Sequence, residues 1–170
     1  YPPDIDKPHA GGWTTPNIEK LRELKPDVVV TSTFLQDNAT ALLRKQSLRV
    51  LQLKPSTLHQ VFESILQLGV LTNKKGGAVK VVEEMKRELN ELKTKAVGKL
   101  SRVYVEEWSN PPMVSGNWVP ELIQYAGGVS LTKPGERSRK ITKQELIEFN
   151  PEFVFLSICG EGETPSSKKF

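Results

Sequence analysis

Three tryptophans in polar, turn-rich surroundings are the residues of this sequence with the clearest potential for molecular recognition. Trp108 and Trp118 lie in the stretch EEWSNPPMVSGNWVPEL (106–122), and Trp13 lies in the stretch AGGWTTPN (10–17). Prolines and a glycine interrupt 106–122, so we interpret it as a loop without helical or strand periodicity. Indole rings in such loops either cover the core of their own domain or form part of a binding surface.

Motifs for catalysis or metal binding are not evident. The sequence has neither a G-x-S-x-G motif nor a phosphate loop of the G-x-x-x-x-G-K type. Ser157 and Cys159 have no neighbouring base that would make either a nucleophile. His9 and His59 lie far apart without paired cysteine or histidine spacing, so we expect no zinc site. An α/β enzyme and a two-lobed metal-ion binder remain open as alternatives.

Composition and charge indicate a globular protein that does not bind nucleic acid. The 170 residues carry a net charge of +4 and 37% hydrophobic residues, and lysines alternate with glutamates along EEMKRELNELKTK (83–95). Such a pattern is typical of a solvated helix face. The chain contains no apolar run long enough to span a membrane, and no signal segment follows Tyr1. The single cysteine, Cys159, follows the apolar run FVFLSI, so we expect a buried, inert thiol.

Two segments far apart in the chain follow the same pattern. Residues 18–32 and 143–157 each read as a short helix, a proline that ends it and a buried strand. When Pro26 is aligned with Pro151, the predicted N-caps Asn17 and Thr142 also coincide. TKQE (142–145) is a capping box, in which Glu145 is expected to reach back to the cap N–H. The pattern predicts two related lobes.

The elements between these segments complete an α/β arrangement. We predict a helix at 36–46, a strand at 48–53, a helix at 57–68, a strand at 102–107, a helix at 119–126 and a short strand near 129–132. Apolar residues from Val79 to Leu92 recur every three or four positions and predict an amphipathic helix of at least about 20 residues. The predicted fold is therefore two similar lobes with mainly parallel sheets flanked by helices, joined by one long helix. The expected boundaries are 1–72, 73–97 and 98–170.

Three stretches in this order resemble the substrate-binding proteins of ABC importers for cobalamin, ferric siderophores and haem. GGWTTPNIEKLRELKPDVVVTS is similar to the first-lobe signature of that class, VYVEEWSNPPMVSGNWVPELIQYAGG to the second-lobe signature, and ITKQELIEFNPEFVF to the segment that follows. The resemblance implies two lobes bridged by a rigid helix, and residues 73–97 stand where that helix belongs. Members of the class are longer at both ends, so we expect this chain to be a fragment.

The resemblance also implies a function. A monomeric extracytoplasmic protein, anchored if at all by a segment outside this sequence, would bind a large flat ligand between its lobes and deliver it to a membrane permease. Open α/β sheets bind ligands at the carboxyl ends of their strands, where the loops bearing Trp13 and Trp108 are expected. The predicted ligand-binding residues are Trp13, Phe34, Trp108, Asn110, Met113 and Trp118. Trp118 could equally act as a hydrophobic staple for the helix that follows it.

The expected ligand is a corrinoid, because EEWSNPPMVSGNWVPEL looks most like the cobalamin-binding branch. The ligand is cargo, and no resident cofactor is implied. A ferric siderophore or haem is the alternative, and the basic cluster Arg137, Arg139 and Lys140 would suit an anionic ferric complex. In this class one acidic residue of each lobe meets arginines of the permease. By position these are Asp37 and, on the second lobe, either Gln144 or Glu145, of which Glu145 carries the charge.

Overall fold

The computed structural model of the protein describes residues 7–96, 98 and 100–158. The chain divides into two compact units, the first spanning Tyr1–Lys54 and the second Pro55–Phe170. The boundaries expected from the sequence, which place the lobes at 1–72 and 98–170 with a joining helix at 73–97, stay predictions. Cys159 lies outside the described residues, so the expectation of a buried thiol is not addressed by the structure.

The first unit is a small layer of two parallel strands packed against helices. Strands β1 (Val29–Thr31) and β2 (Val50–Gln52) are parallel, with Val30 opposite Leu51. Leu43 of helix α2 (Asp37–Lys45) is almost completely buried, and Thr31 and Thr40 join β1 to α2 through a buried hydroxyl–hydroxyl bond of 2.9 Å. The elements are α1 (Ile18–Leu24), β1 (Val29–Thr31), a 3-10 turn (Phe34–Gln36), α2 (Asp37–Lys45) and β2 (Val50–Gln52).

The second unit contains the longer helices and the larger sheet. Its described elements are α3 (Leu58–Leu71), α4 (Lys75–Lys95), β3 (Ser101–Ser109), β4 (Pro112–Val114), α5 (Val119–Tyr125), β5 (Gly128–Val129), β6 (Arg139–Lys140), α6 (Lys143–Phe149) and β7 (Phe153–Leu156). Together with the first unit this is a mixed α/β structure, which confirms the predicted class.

The predicted repeat is present in the local structure of the two segments. Helices α1 and α6 each have seven residues and start after the predicted caps, since Asn17 accepts the N–H of Lys20 and Thr142 accepts that of Glu145. Both helices end on a left-handed residue, Lys25 at φ 45° and Asn150 at φ 47°. A left-handed residue before a proline ends the helix and turns the chain into the following strand.

The long helix α4 is held by its apolar stripe. Val82 is buried with Leu58 and Phe62 of α3, and Met85 and Leu89, one and two turns further on, pack against the same cluster. The 21 residues of α4 agree with the helix predicted from the spacing of Val79 to Leu92. The Glu121 carboxylate of α5 also accepts the N–H of Leu58 at 2.6 Å and so caps α3.

The larger sheet is mixed, which the sequence did not predict. Strand β3 pairs in parallel with β5 and β7, but β4 runs antiparallel to both β3 and β6. Strand β4 is only three residues long and begins at Pro112, a position where the missing proline N–H takes no bond from the ladder. A short hairpin of this kind has little periodicity, so 106–122 was wrongly interpreted as a loop.

Strand β7 was also predicted to be buried, and this prediction is wrong. Phe153, Val154, Phe155 and Leu156 are between 36% and 56% exposed. Within the described residues β7 pairs with β3 and lies at the edge of the sheet. A continuous apolar run indicates burial only when other elements cover both faces of the strand, and the described part of the chain does not cover them.

A tyrosine–glutamate pair lies in the core below the hairpin. The Tyr104 side chain is fully buried and donates from its hydroxyl to Glu106, which is 5% exposed, at 3.2 Å. Burial, together with the negative charge of Glu106, raises the pKa of the Tyr104 phenol well above its ordinary value. Tyr104 therefore stays protonated and keeps its donor at the pH values at which the unfolded chain begins to lose the proton.

Replacing Tyr104 with phenylalanine should lower the free energy of unfolding by about 1–3 kcal/mol at neutral pH, because the buried Glu106 carboxylate loses a donor. Above about pH 10 the tyrosine of the unfolded chain ionises while the folded one does not, so the native protein loses stability there. The phenylalanine variant has no such tyrosine and lacks that loss. The gap between the two proteins, measured as the difference in their free energies of unfolding, should therefore narrow at high pH. Urea unfolding at pH 8 and pH 11 measures the gap, and a gap that stays constant or widens would contradict the assignment.

Candidate functional site

Trp13 lies at the tip of a tight turn in the first unit. The turn is closed by reciprocal main-chain bonds between Gly12 and Thr15, of 3.0 and 3.3 Å, and at its base by the Asn17 N–H donating to Ala10 at 2.9 Å. Gly11 has φ 119°, and a Cβ there would come within 2.6 Å of the Thr15 carbonyl oxygen. The turn thus requires its glycine, and it leaves the Trp13 side chain 61% exposed.

Trp108 lies inside β3, near the tip of the β3–β4 hairpin. This corrects its predicted place in a loop, although the residue is still 47% exposed. Trp108 is paired with Met113 across the hairpin, and a bulge between Glu106 and Trp108 shifts the register there. The indole N–H donates to the main-chain oxygen of Asn110 at 3.0 Å. With its N–H engaged in this way, the ring presents apolar surface.

The hairpin is attached to the segment before β6. The Ser138 hydroxyl donates to the Glu107 carboxylate and accepts the Gly116 N–H at 3.0 Å. Gly116 lies directly against the main chain of 136–138, where a Cβ would overlap it. Next to Gly116, the Ser115 N–H donates to the Val105 oxygen at 2.9 Å and the Asn117 N–H donates to the Glu136 oxygen at 2.5 Å, so main-chain bonds fix the polar residues that follow β4.

Trp118 has a different environment from the other two tryptophans. It precedes α5, is half-buried, and packs against the cluster of Leu58, Phe62 and Val82. Trp118 therefore packs the start of α5 against α3 and α4, in keeping with a structural role such as the hydrophobic staple considered from the sequence. Of the weaker candidates, Asn110 is exposed at the hairpin turn, while Met113 and Phe34 are half-buried.

Both predicted docking carboxylates lie at helix starts and are ion-paired, but Asp37 is exposed whereas Glu145 is half-buried. In the first unit Asp37 accepts from Lys54 Nζ at 2.5 Å and from Gln52 Nε2 at 2.7 Å. In the second unit the Glu145 carboxylate takes both bonds of the Arg139 guanidinium, at 2.5 and 3.1 Å, and these lower the pKa of the Glu145 carboxyl. The capping box predicted that the Glu145 side chain would accept the main-chain N–H of Thr142. In the structure this side chain bonds Arg139 instead. Gln144, the alternative, donates to Glu148 at 2.9 Å.

The remaining chemistry of the described residues is sparse. No group of three or more histidine, cysteine, aspartate or glutamate side chains is placed to hold a metal ion in the part of the chain that the structure describes. Ser157, the first of the two nucleophile candidates considered and set aside in the sequence, follows β7 and is exposed, whereas the second, Cys159, lies beyond the described range. None of the helices at 7–96 or 100–158 is long and apolar enough to cross a membrane.

Each unit also contains a concave surface of its own. In the second unit an apolar groove of about 610 Å³ lies between α5 and the sheet and is lined by Val103, Val105, Ile123, Phe153 and Phe155. In the first unit a pocket of about 200 Å³ borders Trp13, Gln36 and Leu43. Only the smaller pocket includes one of the predicted ligand-binding residues.

Sequence reasoning missed the residues that support the exposed tryptophans. Gln36 bonds to the Trp13 carbonyl, and Ser138 bonds to Glu107 beside Trp108. Gln36 and Trp13 are 23 positions apart in the chain, and Ser138 and Glu107 are 31 positions apart, so no local motif links either pair. An isolated glutamine or serine carries no signal of such a contact.

Comparison with known proteins gives a consistent result. Residues 1–170 match the family model described as Periplasmic binding protein. The vitamin B12-binding protein of Vibrio cholerae serotype O1 is 22% identical over 163 residues, which cover 92% of this chain and 59% of that protein. The iron-uptake system-binding protein of Bacillus subtilis strain 168 is 29% identical over 166 residues, covering 89% of this chain and 50% of that protein. The chain thus spans between 50% and 59% of the length of these two relatives.

A solved structure shows the same fold. The crystal structure of an ABC transporter substrate-binding protein from Listeria monocytogenes EGD-e has a TM-score of 0.78 to this protein at 20% sequence identity. The match covers 94% of this chain and 63% of the other. At this sequence identity the structural similarity shows that the two proteins share a fold, and it shows nothing about function.

The different surroundings of Trp108 and Trp118 predict different effects on stability. Trp118→Ala should lower the free energy of unfolding by roughly 2–4 kcal/mol, because it removes packing from the α3–α4 cluster. Trp108→Ala should cost less than about 1 kcal/mol, because its ring is half-exposed and bonded only locally. Guanidinium unfolding of both variants beside the native protein tests this. Equal losses would mean that Trp108, too, is a core residue.

Proposed function

The chain belongs to the periplasmic binding protein family, and on this basis we propose that it is the extracytoplasmic substrate-binding component of an ABC importer. Its ligand is a corrinoid, held by Trp13 of the first unit and Trp108 of the second and delivered to a membrane permease. Family membership confirms the resemblance drawn from the sequence. We propose three further points: that the protein serves an importer, that it lies outside the cytoplasm, and that its ligand is a corrinoid.

The observation that carries the proposal is the pair of exposed tryptophans. Trp13 and Trp108 are 61% and 47% exposed, although an indole is among the most favourable side chains to bury. Trp13 lies in a turn closed by main-chain hydrogen bonds, and Trp108 lies in the paired end of β3, so little backbone freedom remains to be lost when a ligand binds. Complete burial of an aromatic side chain removes on the order of 150–250 Å² from water, and about half of that area is still open to a ligand at Trp13 and Trp108. A broad macrocycle with apolar edges offers such a surface to each indole.

Trp118, Met113, Phe34 and Asn110 have smaller parts in this proposal. The Trp118 ring already packs against the α3–α4 cluster, so we assign it a structural role beside any contact with ligand. Met113 lies opposite Trp108 in the hairpin and would widen the same apolar surface. Phe34 and the exposed Asn110 keep their predicted roles as further contacts.

A ferric chelate or haem is the second candidate, and the relatives support it as much as a corrinoid. The Bacillus subtilis relative is named for iron uptake and the Vibrio cholerae relative for vitamin B12. Of the basic cluster that would suit an anionic ferric complex, Arg137 and Lys140 are exposed, and Arg139 is ion-paired with Glu145.

Titration of the full-length gene product with cyanocobalamin should quench tryptophan fluorescence, because the ligand would lie against two of the three indoles. Trp13→Ala and Trp108→Ala should each weaken the affinity about tenfold or more, as loss of a buried aromatic contact does. Isothermal titration calorimetry gives the affinities.

A ferric tricatecholate and haemin, titrated in the same way, separate the two candidates. Quenching by either of them without quenching by cyanocobalamin would replace the corrinoid with the second candidate. Quenching by cyanocobalamin that persists at full affinity in both alanine variants would remove the tryptophans from the site.

We also propose that Asp37 and Glu145 dock onto the permease. Asp37 is exposed and Glu145 is partly exposed, and their present partners, Lys54 and Arg139, are exposed residues of the same unit. Exposed ion pairs of this kind are worth only about 0–1 kcal/mol, so a permease arginine can displace the internal cation at little cost.

The double variant Asp37→Lys, Glu145→Lys should transport corrinoid more slowly, because it presents cations to the arginines of the permease. Its affinity for cyanocobalamin should be unchanged, because neither residue belongs to the proposed ligand contacts. Uptake of radiolabelled cobalamin into cells or proteoliposomes measures transport. Glu23→Lys is the matched control, since Glu23 is an exposed, ion-paired carboxylate of α1 with no proposed role. Unchanged uptake by the double variant would rule out docking at these residues.

A further inference from the structure

We propose that Gln36 is a positioning residue for the proposed ligand site and holds the Trp13 turn against the end of β1. The inference rests on the proposed contact between Trp13 and the ligand. It assigns a role to a residue that does not itself touch the ligand.

Gln36 bonds in two directions through its side-chain amide. Its Nε2 group donates to the main-chain oxygen of Trp13 at 2.8 Å, and its Oε1 atom accepts the main-chain N–H of Ser32 at 2.8 Å. Ser32 directly follows β1, and Gln36 itself ends the 3-10 turn that precedes α2. The amide thus connects the tip of the Trp13 turn with the carboxyl end of a strand in the same unit.

The turn needs this connection because its own bonds are local. The contacts between Gly12 and Thr15 and between Ala10 and Asn17 close the turn and set its shape. They run within 10–17 and, by themselves, connect the turn to no element other than α1, whose N-cap is Asn17. The bond from Gln36 reaches Trp13 from 23 positions away and ties the turn to the β1–α2 junction. A half-buried amide with both groups engaged is a specific constraint.

An amide fits this position and a carboxylate does not. Both accept the N–H of Ser32, but only the amide has an N–H with which to bond the Trp13 oxygen. Gln36→Glu therefore keeps one bond and removes the other, and it places an acceptor against an acceptor. Gln36→Leu removes both bonds at similar volume.

Gln60 provides a matched control. Its Oε1 atom accepts the main-chain N–H of Ser56 at 2.7 Å, four positions earlier, as that of Gln36 accepts from Ser32. Gln60 lies in α3 of the second unit and has no role in the proposed site. Gln60→Glu repeats the amide-to-acid change at a side chain with the same i−4 main-chain bond, although Gln60 is exposed and also accepts the Ser56 hydroxyl at 2.8 Å, and no tryptophan lies at the other end.

The test combines two measurements on the full-length gene product. In a Trp108→Phe, Trp118→Phe background the emission reports Trp13, and its anisotropy and acrylamide quenching show how firmly the ring is held. Calorimetric titration with cyanocobalamin, with all three tryptophans in place, gives the affinity. Gln36→Glu and Gln36→Leu should lower the anisotropy, speed the quenching and weaken the affinity about 3- to 10-fold, the effect of one hydrogen bond. Gln60→Glu should change none of these.

Other results would overturn the proposal in distinguishable ways. If Gln36→Glu and Gln36→Leu leave the Trp13 emission unchanged, the glutamine does not hold the turn. If they loosen Trp13 but leave the affinity unchanged, the positioning role for the ligand fails. Trp13→Ala then identifies the cause: weakened binding means that the ring acts without needing Gln36, whereas unchanged binding means that the proposed ligand contact of Trp13 is wrong.

Discussion

Main-chain hydrogen bonds that close tight turns are the interaction on which the rest of this structure depends. An indole ring kept out of the hydrophobic core has no packing to fix it, so the backbone beneath it must be fixed instead. In the first unit the bonds between Gly12 and Thr15 do this for Trp13, and in the second the β3–β4 hairpin does it for Trp108. A ring held in this way loses little entropy when a ligand covers it, which is the benefit of preorganisation.

The supports beneath the two tryptophans differ in chemistry but act alike. Gln36 reaches the Trp13 turn through an amide, and Ser138 reaches the hairpin through a hydroxyl that bonds Glu107. Below the hairpin, the buried pair of Tyr104 and Glu106 places a satisfied polar group in the core where β3 meets β4 and β7. Trp118, in contrast, is fixed by packing, as an ordinary core residue is. The three indoles therefore differ both in exposure and in what fixes them: main-chain bonds hold the two exposed rings, and core packing holds Trp118.

Much of the fold could be predicted because its signals are local. The caps Asn17 and Thr142, the prolines that follow α1 and α6, and the three- and four-residue spacing in α4 each determine structure within a few residues. The hairpin could not be predicted, because three residues starting at Pro112 have too little periodicity to indicate a strand. The exposure of β7 was missed for another reason: an apolar strand indicates burial without telling which element covers it.

The candidate site was predictable only in its conspicuous members. Trp13 and Trp108 stand out by residue type, whereas Gln36 and Ser138 act over long sequence separations that no motif marks. The partners of the carboxylates were equally hidden, since Lys54 and Arg139 are ordinary surface cations by sequence. Contacts between distant residues depend on the tertiary structure, and one sequence does not encode them in a readable pattern.

Hydroxyl-radical footprinting of the three tryptophans, with and without cyanocobalamin, tests the central claim most directly, because mass spectrometry reads the oxidation of each indole separately. The account predicts that the ligand protects Trp13 and Trp108 and leaves the rate for Trp118 nearly unchanged. Oxidation of Trp13 and Trp108 at undiminished rates in the saturated complex would contradict it.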